Sequence, residues 1–540
     1  MKMISMFYYV SMILLFMFMI MLGFIVCCNT LELNLFLEFE LLKLNSVNFM
    51  FILYLDWMSV LFSLIVVLIS LLVMLYSKSY MGEESMRFIW LTLSFIIFML
   101  FMIWSPSILS VILGWDGLGL ISYCLILYYQ SKSSFYSGFI TAASNRLGDS
   151  MLMVGITMYL SLGNYMFWEN TVGFLFFFIA CLTKSAQFPF SAWLPLAMAA
   201  PTPISSLVHS STLVTAGVYM LIRFNWMLYE SLMNQWLMLI SLFTIYMAGM
   251  NSFYEFDMKR VIALSTLGQL SFMMMILSLG YPYVAFLHLL IHALFKALLF
   301  MCAGSIIHSG SLIQDLRKVG NLNMDIYIKM SLNISLLCLM GLPFSSGFYS
   351  KDLLLELFML ENKTILFLFM IIGVMITVSY SMRMLKYMTK VNFWLVWIEG
   401  SKIMTIPIIL LASFNIMGGS VIVWIMMNYG SFIVLESLYK IMPLLMLMMG
   451  ILFQGLTLNK MMYYYFFLNL MFLMNVTKYL GLIIYFMFIK MKLLDQGWME
   501  TTLKLMKKFT LESSFWVGGL VSNYTLYFYS LMIILVLIIV

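Results

Sequence analysis

Charged residues are scarce in this chain. Asp, Glu, Lys and Arg make up only 9% of its 540 residues, whereas 64% of the residues are hydrophobic. No soluble domain of this size could bury so much apolar side chain, so a water-soluble fold is excluded. A helix needs about 20 apolar residues to cross a bilayer. Runs of that length recur along most of the sequence, which indicates an all-α protein that crosses the membrane many times.

Motifs that bind nucleotides, haem or iron–sulfur clusters are missing as well. The sequence contains no GxGxxG fingerprint, no P-loop, no CxxC pair and no haem attachment motif. We therefore expect this chain to bind no nucleotide, flavin or iron–sulfur cluster. The six cysteines lie mostly in apolar runs, where we interpret them as small buried hydrophobes. The net charge of +6 includes no basic run interleaved with polar residues, so it indicates attraction to anionic phospholipid and no nucleic-acid binding.

The N-terminal run, residues 1–28, is long enough to span a bilayer and has no small-residue cleavage site. We expect a first transmembrane helix there, and neither a signal peptide nor an Arg- and Ser-rich transit peptide. Methionine occurs 56 times and substitutes easily for Leu and Ile at lipid-facing positions. Such a bias suggests the codon environment of an organellar genome.

The apolar runs predict about fifteen transmembrane helices with short connections. They cover 6–26, 58–77, 87–104, 107–128, 137–160, 171–190, 203–224, 235–253, 260–279, 284–307, 327–358, 364–387, 403–426, 438–456 and 524–540. The longest early loop is predicted at 30–56. Residues 461–489 fit either a crossing helix or an extension of a helix on the membrane surface.

Two of the predicted spans look discontinuous. One is 171–200, broken at Pro189, and the other is 327–360, broken at Pro343. Each break holds a Pro-Phe-Ser step and has a lysine nearby. Those lysines are Lys184 and Lys351. Paired broken spans at corresponding places in two halves are typical of an inverted-repeat transporter, and two unrelated proline kinks are the alternative.

The segment 490–512 differs from everything before it. It is rich in charged residues, and its apolar residues fall near one helical face. These apolar residues are Leu494, Trp498, Leu505 and Phe509. A helix with this pattern is predicted to lie along the membrane interface, after which the apolar run 524–540 re-enters the membrane.

Asp116 and Lys184 are the first ionisable residues expected at membrane depth. A carboxylate at the centre of a membrane helix costs about 3 kcal/mol on insertion scales, so Asp116 is expected to be protonated, paired or beside water. Three glycines around it would let a neighbouring helix approach: Gly114, Gly117 and Gly119. Burial disfavours the ammonium form of Lys184, which makes it a candidate proton-loading site. The alternatives are a structural polar contact for Asp116 and snorkelling to the interface for Lys184.

Arg146 and Asp149 lie three residues apart and so share one helical face. A local ion pair is one interpretation of this spacing. The other is that the pair tunes the charge on Lys184 or Asp116.

His209 has a hydroxyl four residues before it, on Ser205, and another three residues after it, on Thr212. In a regular helix these groups line one face. Histidine and hydroxyls can hold a water chain and relay a proton near neutral pH. The alternative is a histidine that only packs.

His288, His292 and Lys296 are spaced i, i+4 and i+8, so they share one face of an otherwise apolar helix. That face must point to the protein interior or to water. Two histidines at i, i+4 could also chelate a metal, but no HExxH motif and no nearby Cys or carboxylate accompanies them, so no metal is expected. Lys351 and Asp352 follow the second break, where unwound backbone is tolerated only beside a cavity. Three further charges are expected to mark the loop at a helix start: Asp257, Lys259 and Arg260.

Six specific motifs lie between residues 105 and 360. They are LGWDGLGLISYCLI, SNRLGD, TKSAQFPFSAWLPLAMAAPTPISSLVHSSTLVTAGVYML, DMKRVIALSTLGQLSFM, HLLIHALFKALLFMCAGSIIH and GFYSKD. Together they resemble the chain 5 family of proton-pumping NADH:ubiquinone oxidoreductase, respiratory complex I. The charged segment 490–512 with the last span resembles the lateral helix and anchor of the same family. A cation/proton antiporter subunit is the alternative.

The resemblance implies an antiporter-like fold with two inverted repeats of five helices, two discontinuous helices and a lateral amphipathic helix. It also implies a proton path through the membrane centre, with Asp116, Lys184, His209, His288, His292, Lys296 and Lys351 on it. Supporting residues would be Arg146, Asp149, Thr212 and Asp352. NADH, FMN, iron–sulfur clusters and ubiquinone would belong to other subunits, whose electron transfer drives the protons.

The resemblance further implies a place in the mitochondrial inner membrane. The partners would be the other membrane-arm subunits, especially the sister antiporter-like subunits that the lateral helix contacts, and phospholipid. The chain would divide into N-terminal helices and a loop at 1–86, a first repeat at 87–224, a second repeat at 225–390, further membrane helices at 391–460, a lateral interfacial region at 461–522 and a terminal anchor at 523–540.

Three positions depart from the pattern of that family. Asp116 stands where a glutamate is usual and is one methylene shorter. Leu196 stands where an acidic residue often follows Trp-Leu-Pro. One span, and not two, precedes residue 57.

Overall fold

The computed structural model describes residues 2–44, 47–82, 85–161, 173–231, 233–310, 313–319, 325–360, 364–389, 402–426, 437–453, 466–467, 471, 473–492, 504 and 506–513. The chain divides into two compact units, Met1–Met471 and Phe472–Val540.

The first unit is built almost entirely from helices. They are α1 (Lys2–Leu31), α2 (Trp57–Met81), α3 (Ser85–Trp104), α4 (Ile108–Ile126), α5 (Lys132–Ser161), α6 (Phe174–Lys184), α7 (Trp193–Leu196), α8 (Thr202–Leu207), α9 (Leu213–Arg223), α10 (Asn225–Glu230), α11 (Met233–Tyr254), α12 (Met258–Leu279), α13 (Pro282–Ser309), α14 (Ile326–Met340), α15 (Ser346–Leu360), α16 (Thr364–Thr389), α17 (Lys402–Met426) and α18 (Ser437–Phe453). A π turn, Val208–Thr212, joins α8 to α9.

Ten helices among the described residues are long and apolar enough to cross a membrane. The prediction of a multi-pass helical membrane protein is therefore confirmed. α5 covers the predicted span 137–160 but is not one of the ten. Polar residues interrupt its apolar sequence, among them Asn145, Arg146 and Asp149.

The loop predicted at 30–56 is instead largely an antiparallel hairpin of β1 (Leu35–Leu44) and β2 (Val47–Leu55), with one irregularity after Glu40. That part of the prediction was wrong, and Glu38 and Glu40 lie in β1. These glutamates alternate with apolar residues, and such an alternation is typical of a strand.

The first predicted break is present, and a defined turn ends the helix before it. α6 ends at Lys184, and Ala186 then has a φ of 56°. The N–H of Gln187 donates to the carbonyl oxygen of Leu182 at 3.1 Å. A left-handed residue followed by this long backward bond is a Schellman cap, which stops the helix and satisfies a carbonyl at its end.

The second break begins with the same turn. α14 ends at Met340, and Gly341 has a φ of 84°. The N–H of Leu342 donates to the carbonyl oxygen of Leu337 at 3.3 Å. In the first predicted repeat the broken helix begins with α6, which follows α5. In the second predicted repeat it begins with α14, which follows α13. The shared cap supports the repeat, which stays a prediction.

The core of the first unit surrounds α13. This helix packs against α2, α8, α9, α12, α14, α15 and α17. α12 is buried except at Arg260 and Leu279 near its two ends, the segment 202–222 is buried throughout, and α13 is buried along nearly all of its length. Polar side chains on these helices must therefore find partners inside the protein.

The second unit contains α19 (Leu473–Lys492), and residues 506–513 are also helical. α19 is not one of the ten helices that meet the length and hydropathy of a membrane span within the described residues. Most of the predicted surface helix at 490–512 and the whole predicted span 524–540 lie outside the described residues.

Candidate functional site

Lys184, the last residue of α6, is buried against α4. Its Nζ donates a hydrogen bond to the main-chain carbonyl oxygen of Trp115 at 3.2 Å and lies 5.1 Å from the centroid of the Trp115 ring. The ammonium is thus held beside the residue that precedes Asp116. Lys184 does not snorkel, because its side chain ends inside the helix bundle.

The glycines of α4 make this contact possible. A Cβ at Gly117 would lie 2.3 Å from a ring carbon of Phe98, and a Cβ at Gly114 would lie 2.8 Å from Met102. A Cβ at Gly119 would lie 3.4 Å from Lys184 Nζ. The predicted close approach is confirmed: the first two glycines bring α3 against α4, and Gly119 leaves the Trp115 carbonyl accessible to the ammonium.

Arg146 on α5 bridges two carboxylates. Its Nη1 lies 3.4 Å from Asp116 Oδ1 and 3.4 Å from Asp149 Oδ2. The predicted Arg146–Asp149 pair is therefore present, and it extends to α4. The side chains of Arg146 and Asp116 are 53% and 40% exposed, whereas Asp149 is nearly buried. The charges that act on the Lys184 ammonium come from these same three residues.

His209 lies in the π turn and is wholly buried. The regular helical spacing assumed for the hydroxyl face is interrupted, because a π turn inserts one residue. The hydroxyl of Thr212 donates to the Leu207 carbonyl at 2.8 Å, and that of Ser205 donates to the Thr202 carbonyl at 2.8 Å. Neither ring nitrogen of His209 makes a hydrogen bond of ordinary geometry within the part of the chain that the structure describes.

Trp193 stands between Lys184 and His209. Its Nε1 donates to the carbonyl oxygen of Thr183 at 3.1 Å, and its ring centroid lies 6.3 Å from that of His209. Trp193 therefore links the end of α6 to the π turn through one rigid side chain.

His288 on α13 connects α12 with α15. Its Nε2 lies 3.1 Å from Gln269 Oε1, and its Nδ1 lies 2.8 Å from Ser350 Oγ. Because Oε1 only accepts, Nε2 donates, and Nδ1 of the neutral ring accepts from the serine hydroxyl. The ring of His292 follows at 6.5 Å, and among the described residues its nitrogens make no hydrogen bond of ordinary geometry.

Lys296, one turn beyond His292, is completely buried and donates to the hydroxyl of Ser265 on α12. Ser265 and Gln269 are four residues apart on α12. Their partners, Lys296 and His288, are eight residues apart on α13. The predicted shared face of His288, His292 and Lys296 is confirmed, and α12 provides two of its partners.

Lys351 on α15 is held by the second break. Its Nζ donates to the carbonyl oxygens of Leu339 and Met340, at 3.3 and 3.4 Å, and to the hydroxyl of Thr377 on α16 at 2.8 Å. The last carbonyls of a helix lack intrahelical donors, so the end of α14 supplies acceptors to a cation. Asp352 follows, and its Oδ1 is buried without a hydrogen bond of ordinary geometry among the described residues.

A cavity of about 180 Å³ lies beside Lys351 and Asp352. Lys351 and Asp352 line it together with Lys440 of α18 and apolar side chains. Such a volume holds several water molecules. The predicted cavity beside the second break is thus present.

Sequence reasoning missed the side chains that hydrogen-bond to His288, Lys296 and Lys351. They are Ser265, Gln269, Ser350 and Thr377. A usable signal existed for the first two, which are polar and four residues apart on an apolar helix. Gln187 was missed as well, although it lies in the first break and accepts from the hydroxyl of Thr244 on α11 at 2.7 Å.

Asp257, Lys259 and Arg260 lie at the start of α12, as the sequence predicted. Lys259 is nevertheless buried. Its Nζ donates to the carbonyl oxygen of Ala200 at 3.2 Å. Arg260 pairs with Asp257 at 3.4 Å near the surface, as a loop-flanking residue does.

The buried lysines and histidines described above can hold and pass protons at several places inside the helix bundle of the first unit. A buried lysine with a movable carboxylate partner can be loaded and discharged, and a neutral imidazole can accept at one nitrogen while it donates at the other. A helix bundle with two broken helices and such an interior is an antiporter-like membrane subunit.

Comparison with known proteins supports this class and narrows it. The family model of the NADH:quinone oxidoreductase/Mrp antiporter membrane domain matches residues 105–377, and that of the complex I chain 5 N-terminus matches residues 41–89. The solved Mrp complex of Dietzia sp. is similar in fold, with a TM-score of 0.68, 23% identity and coverage of 80% of this chain and 52% of that chain. An archaeal membrane-bound sulfane sulfur reductase gives a TM-score of 0.69 at 19% identity, over 77% of this chain and 89% of that chain.

Two relatives of higher identity carry the same name. NADH-ubiquinone oxidoreductase chain 5 of Anopheles gambiae is 43% identical over 92% of this chain and 90% of its own. The Locusta migratoria protein of the same name is 42% identical over 85% of this chain and 86% of its own. The chain belongs to the NADH-ubiquinone oxidoreductase chain 5 family.

Proposed function

We propose that this chain carries protons across the membrane within a proton-pumping NADH:ubiquinone oxidoreductase. The path consists of Asp116, Lys184, His209, the stripe His288–His292–Lys296, and Lys351. Arg146, Asp149 and Asp352 adjust the charge along it, whereas Thr212 maintains the π turn that holds His209. The energy comes from electron transfer between NADH and ubiquinone elsewhere in the enzyme.

The buried position of Lys184 is the observation that carries the proposal. Its ammonium is away from solvent, its direct hydrogen bond is to a neutral carbonyl, and its carboxylate neighbours form a separate pair with Arg146. An ammonium without a direct carboxylate partner in a low-dielectric interior is easily discharged, and it is recharged when a carboxylate approaches. Movement of the Arg146 side chain between its two carboxylates would supply that change.

We propose that the redox groups lie in other subunits. NADH, FMN, the iron–sulfur clusters and ubiquinone would bind there, and this chain would contribute no electron transfer. The absence of nucleotide and cluster motifs in the sequence supports this division. The methionine-rich composition and the insect relatives support the mitochondrial inner membrane as its location.

The exposed face of α4 and α5 supports a neighbouring membrane subunit as a partner. Asp116 and Arg146 lie near the middle of their helices and are about half exposed in the isolated chain. Lipid chains solvate such charges poorly, so these residues are expected to face protein or water. We propose that a sister antiporter-like subunit covers this face, and that the lateral helix at 461–522 contacts the sister subunits too.

The first experiment tests the path in the assembled enzyme. Lys184→Ala should lower the number of protons pumped per NADH oxidised in sealed vesicles, while the enzyme stays assembled. Lys318→Ala is the matched control, because Lys318 is exposed in the loop after α13. An unchanged ratio in assembled Lys184→Ala enzyme would remove Lys184 from the path. Co-purification of this chain with NADH dehydrogenase activity separates the proposal from a free-standing antiporter.

A second experiment tests the lateral helix. A chain that ends before Lys490 should give less assembled membrane arm. A full yield of assembled enzyme from that truncated chain would contradict the proposed contact with the sister subunits.

A further inference from the structure

Arg383 is a buried cation that the path described above does not use. It lies in the last two turns of α16 and is 9% exposed. Its guanidinium donates to three main-chain carbonyl oxygens at the end of α11: those of Ser252, at 2.7 Å, Phe253 and Glu255. The last carbonyls of a helix lack intrahelical donors and carry partial negative charge. Arg383 therefore caps α11 from a neighbouring helix.

Phe256 extends this contact to the loop after α13. The guanidinium carbon of Arg383 lies 5.5 Å from the Phe256 ring, and that of Arg317 lies 4.3 Å from it. The Phe256 carbonyl accepts from the N–H of Leu316, and the N–H of Met258 donates to the carbonyl of Gln314, both at 3.0 Å. The segment 255–258 is thus fixed to α16 on one side and to the α13 loop on the other.

Two of the helices that meet here carry hydrogen-bond partners of Lys296 and Lys351. α16 holds Thr377, which accepts from Lys351. α12 holds Ser265, which accepts from Lys296 of α13. Thr377 precedes Arg383 by six residues, about 9 Å along the helix axis. A shift of α16 relative to the α11–α12 turn would therefore move Thr377 relative to Ser265.

We propose that Arg383 is a positioning residue for proton transfer between Lys296 and Lys351. Its cap on α11 sets where Thr377 stands relative to Ser265, and so sets the separation of the two ammonium groups. Like charges in a low-dielectric interior repel strongly, so a small change in their separation alters which lysine holds a proton. This inference rests on the proposed proton path.

Arg383→Gln and Arg383→Lys in the assembled enzyme test the proposal. Glutamine removes the charge, and lysine keeps the charge but cannot reach three carbonyls from one planar group. Lys386→Gln is the control, because Lys386 is an exposed cation in the last turn of the same helix. Assembly, the NADH:ubiquinone rate and protons pumped per NADH are measured for each variant in sealed vesicles.

The expected result is a fall in protons pumped per NADH for Arg383→Gln, a smaller fall for Arg383→Lys and no change for Lys386→Gln. A merely structural role would reduce the amount of assembled enzyme and leave the ratio per assembled enzyme unchanged, which would overturn the proposal. If Arg383→Gln fails to assemble, the ratio of Arg383→Lys decides, and a wild-type value overturns the proposal.

Lys351→Ala in the same assay separates this inference from the proposed path. If Lys351→Ala pumps normally, the path itself fails. If Lys351→Ala loses pumping and both Arg383 variants keep it, only the positioning role fails.

Discussion

Lys351 and Thr377 are joined by a 2.8 Å hydrogen bond between the ammonium and the hydroxyl, across the gap between α15 and α16. The same hydroxyl donates to the Val374 carbonyl of its own helix at 2.7 Å. Thr377 is therefore oriented by α16 so that its oxygen lone pair points at the lysine. No carboxylate of the described residues forms an ion pair with Lys351.

Thr377→Val should impair proton pumping. Valine keeps the shape of threonine and removes the acceptor, and a hydrogen bond to a charged group is worth about 1.5–3 kcal/mol. The charged form of Lys351 loses that amount, so we expect fewer protons pumped per NADH in sealed vesicles. Thr405→Val is the control, because the Thr405 hydroxyl donates to the Lys402 carbonyl of its own helix near the start of α17. Equal ratios in the two variants would contradict the role of Thr377.

Gly119→Val should disturb the hydrogen bond of Lys184 to α4 while the lysine itself is kept. A side chain at 119 would begin 3.4 Å from Lys184 Nζ, and the branched valine would cover the Trp115 carbonyl. We expect a loss of protons pumped per NADH similar to that of Lys184→Ala. Gly23→Val is the control, since a Cβ at Gly23 meets no atom within 4 Å. Normal pumping by assembled Gly119→Val enzyme would mean that the Trp115 carbonyl is not needed.

Gly148→Ala should lower the stability of the α5–α6 contact. The added Cβ would lie 2.1 Å from Thr183 Oγ1, and overpacking of this kind costs about 1–3 kcal/mol. Gly268→Ala should be neutral or stabilising, because its Cβ would lie 3.9 Å from Ala248 and alanine favours the helix. Thermal inactivation of the solubilised enzyme measures both. The double variant Gly148→Ala, Thr183→Ala should recover part of the loss, and no recovery would exclude the Thr183 clash.

Asp56 has two roles, which two substitutions separate. It pairs with Arg223 at the end of α9, and its Oδ1 accepts from the N–H of Ser59 at 3.0 Å, which caps α2. Breaking a buried ion pair costs about 3–5 kcal/mol, and losing a cap costs about 0.5–2 kcal/mol. Asp56→Asn should lose mainly the ion pair with Arg223, whereas Asp56→Ala should lose both the ion pair and the cap. Thermal inactivation should therefore occur at the lowest temperature in Asp56→Ala.

The control for Asp56 is Asp257→Ala, which breaks the largely exposed pair with Arg260. Exposed pairs contribute about 0–1 kcal/mol, so this variant should stay close to the wild type. A similar loss in Asp257→Ala and Asp56→Asn would show that burial does not strengthen the Asp56 pair.

The sequence predicted the helices, the two breaks and the charged residues well, because each depends on local chemistry. Long apolar runs predict helices that span the membrane. Pro189 and Pro343 have no N–H to donate and so interrupt the hydrogen bonds of a helix. Charged residues in apolar runs are easy to recognise because the chain has few charged residues. The hairpin of β1 and β2 was missed, although the alternation of its glutamates with apolar residues is visible in the sequence.

The partners of the buried cations depend on tertiary packing, and sequence periodicity does not report it. Lys184 binds a carbonyl of α4, and Lys351 binds carbonyls that only a broken helix exposes. The π turn at His209 has no signature of its own in the sequence, so regular helical spacing was assumed between Ser205 and Thr212. Arg383 was overlooked because its partners are main-chain atoms 128 to 131 residues away.

The short length of α6 has a consequence for how the chain enters the membrane. Its 11 residues extend about 16 Å, roughly half of the hydrocarbon thickness, and they end in a charged lysine. Such a segment cannot be released into lipid alone during synthesis. It needs α4, which precedes it in the chain and offers the Trp115 carbonyl, so we expect the two helices to insert together. Substitutions at this contact should therefore also show up as slower or incomplete biogenesis of newly made chains.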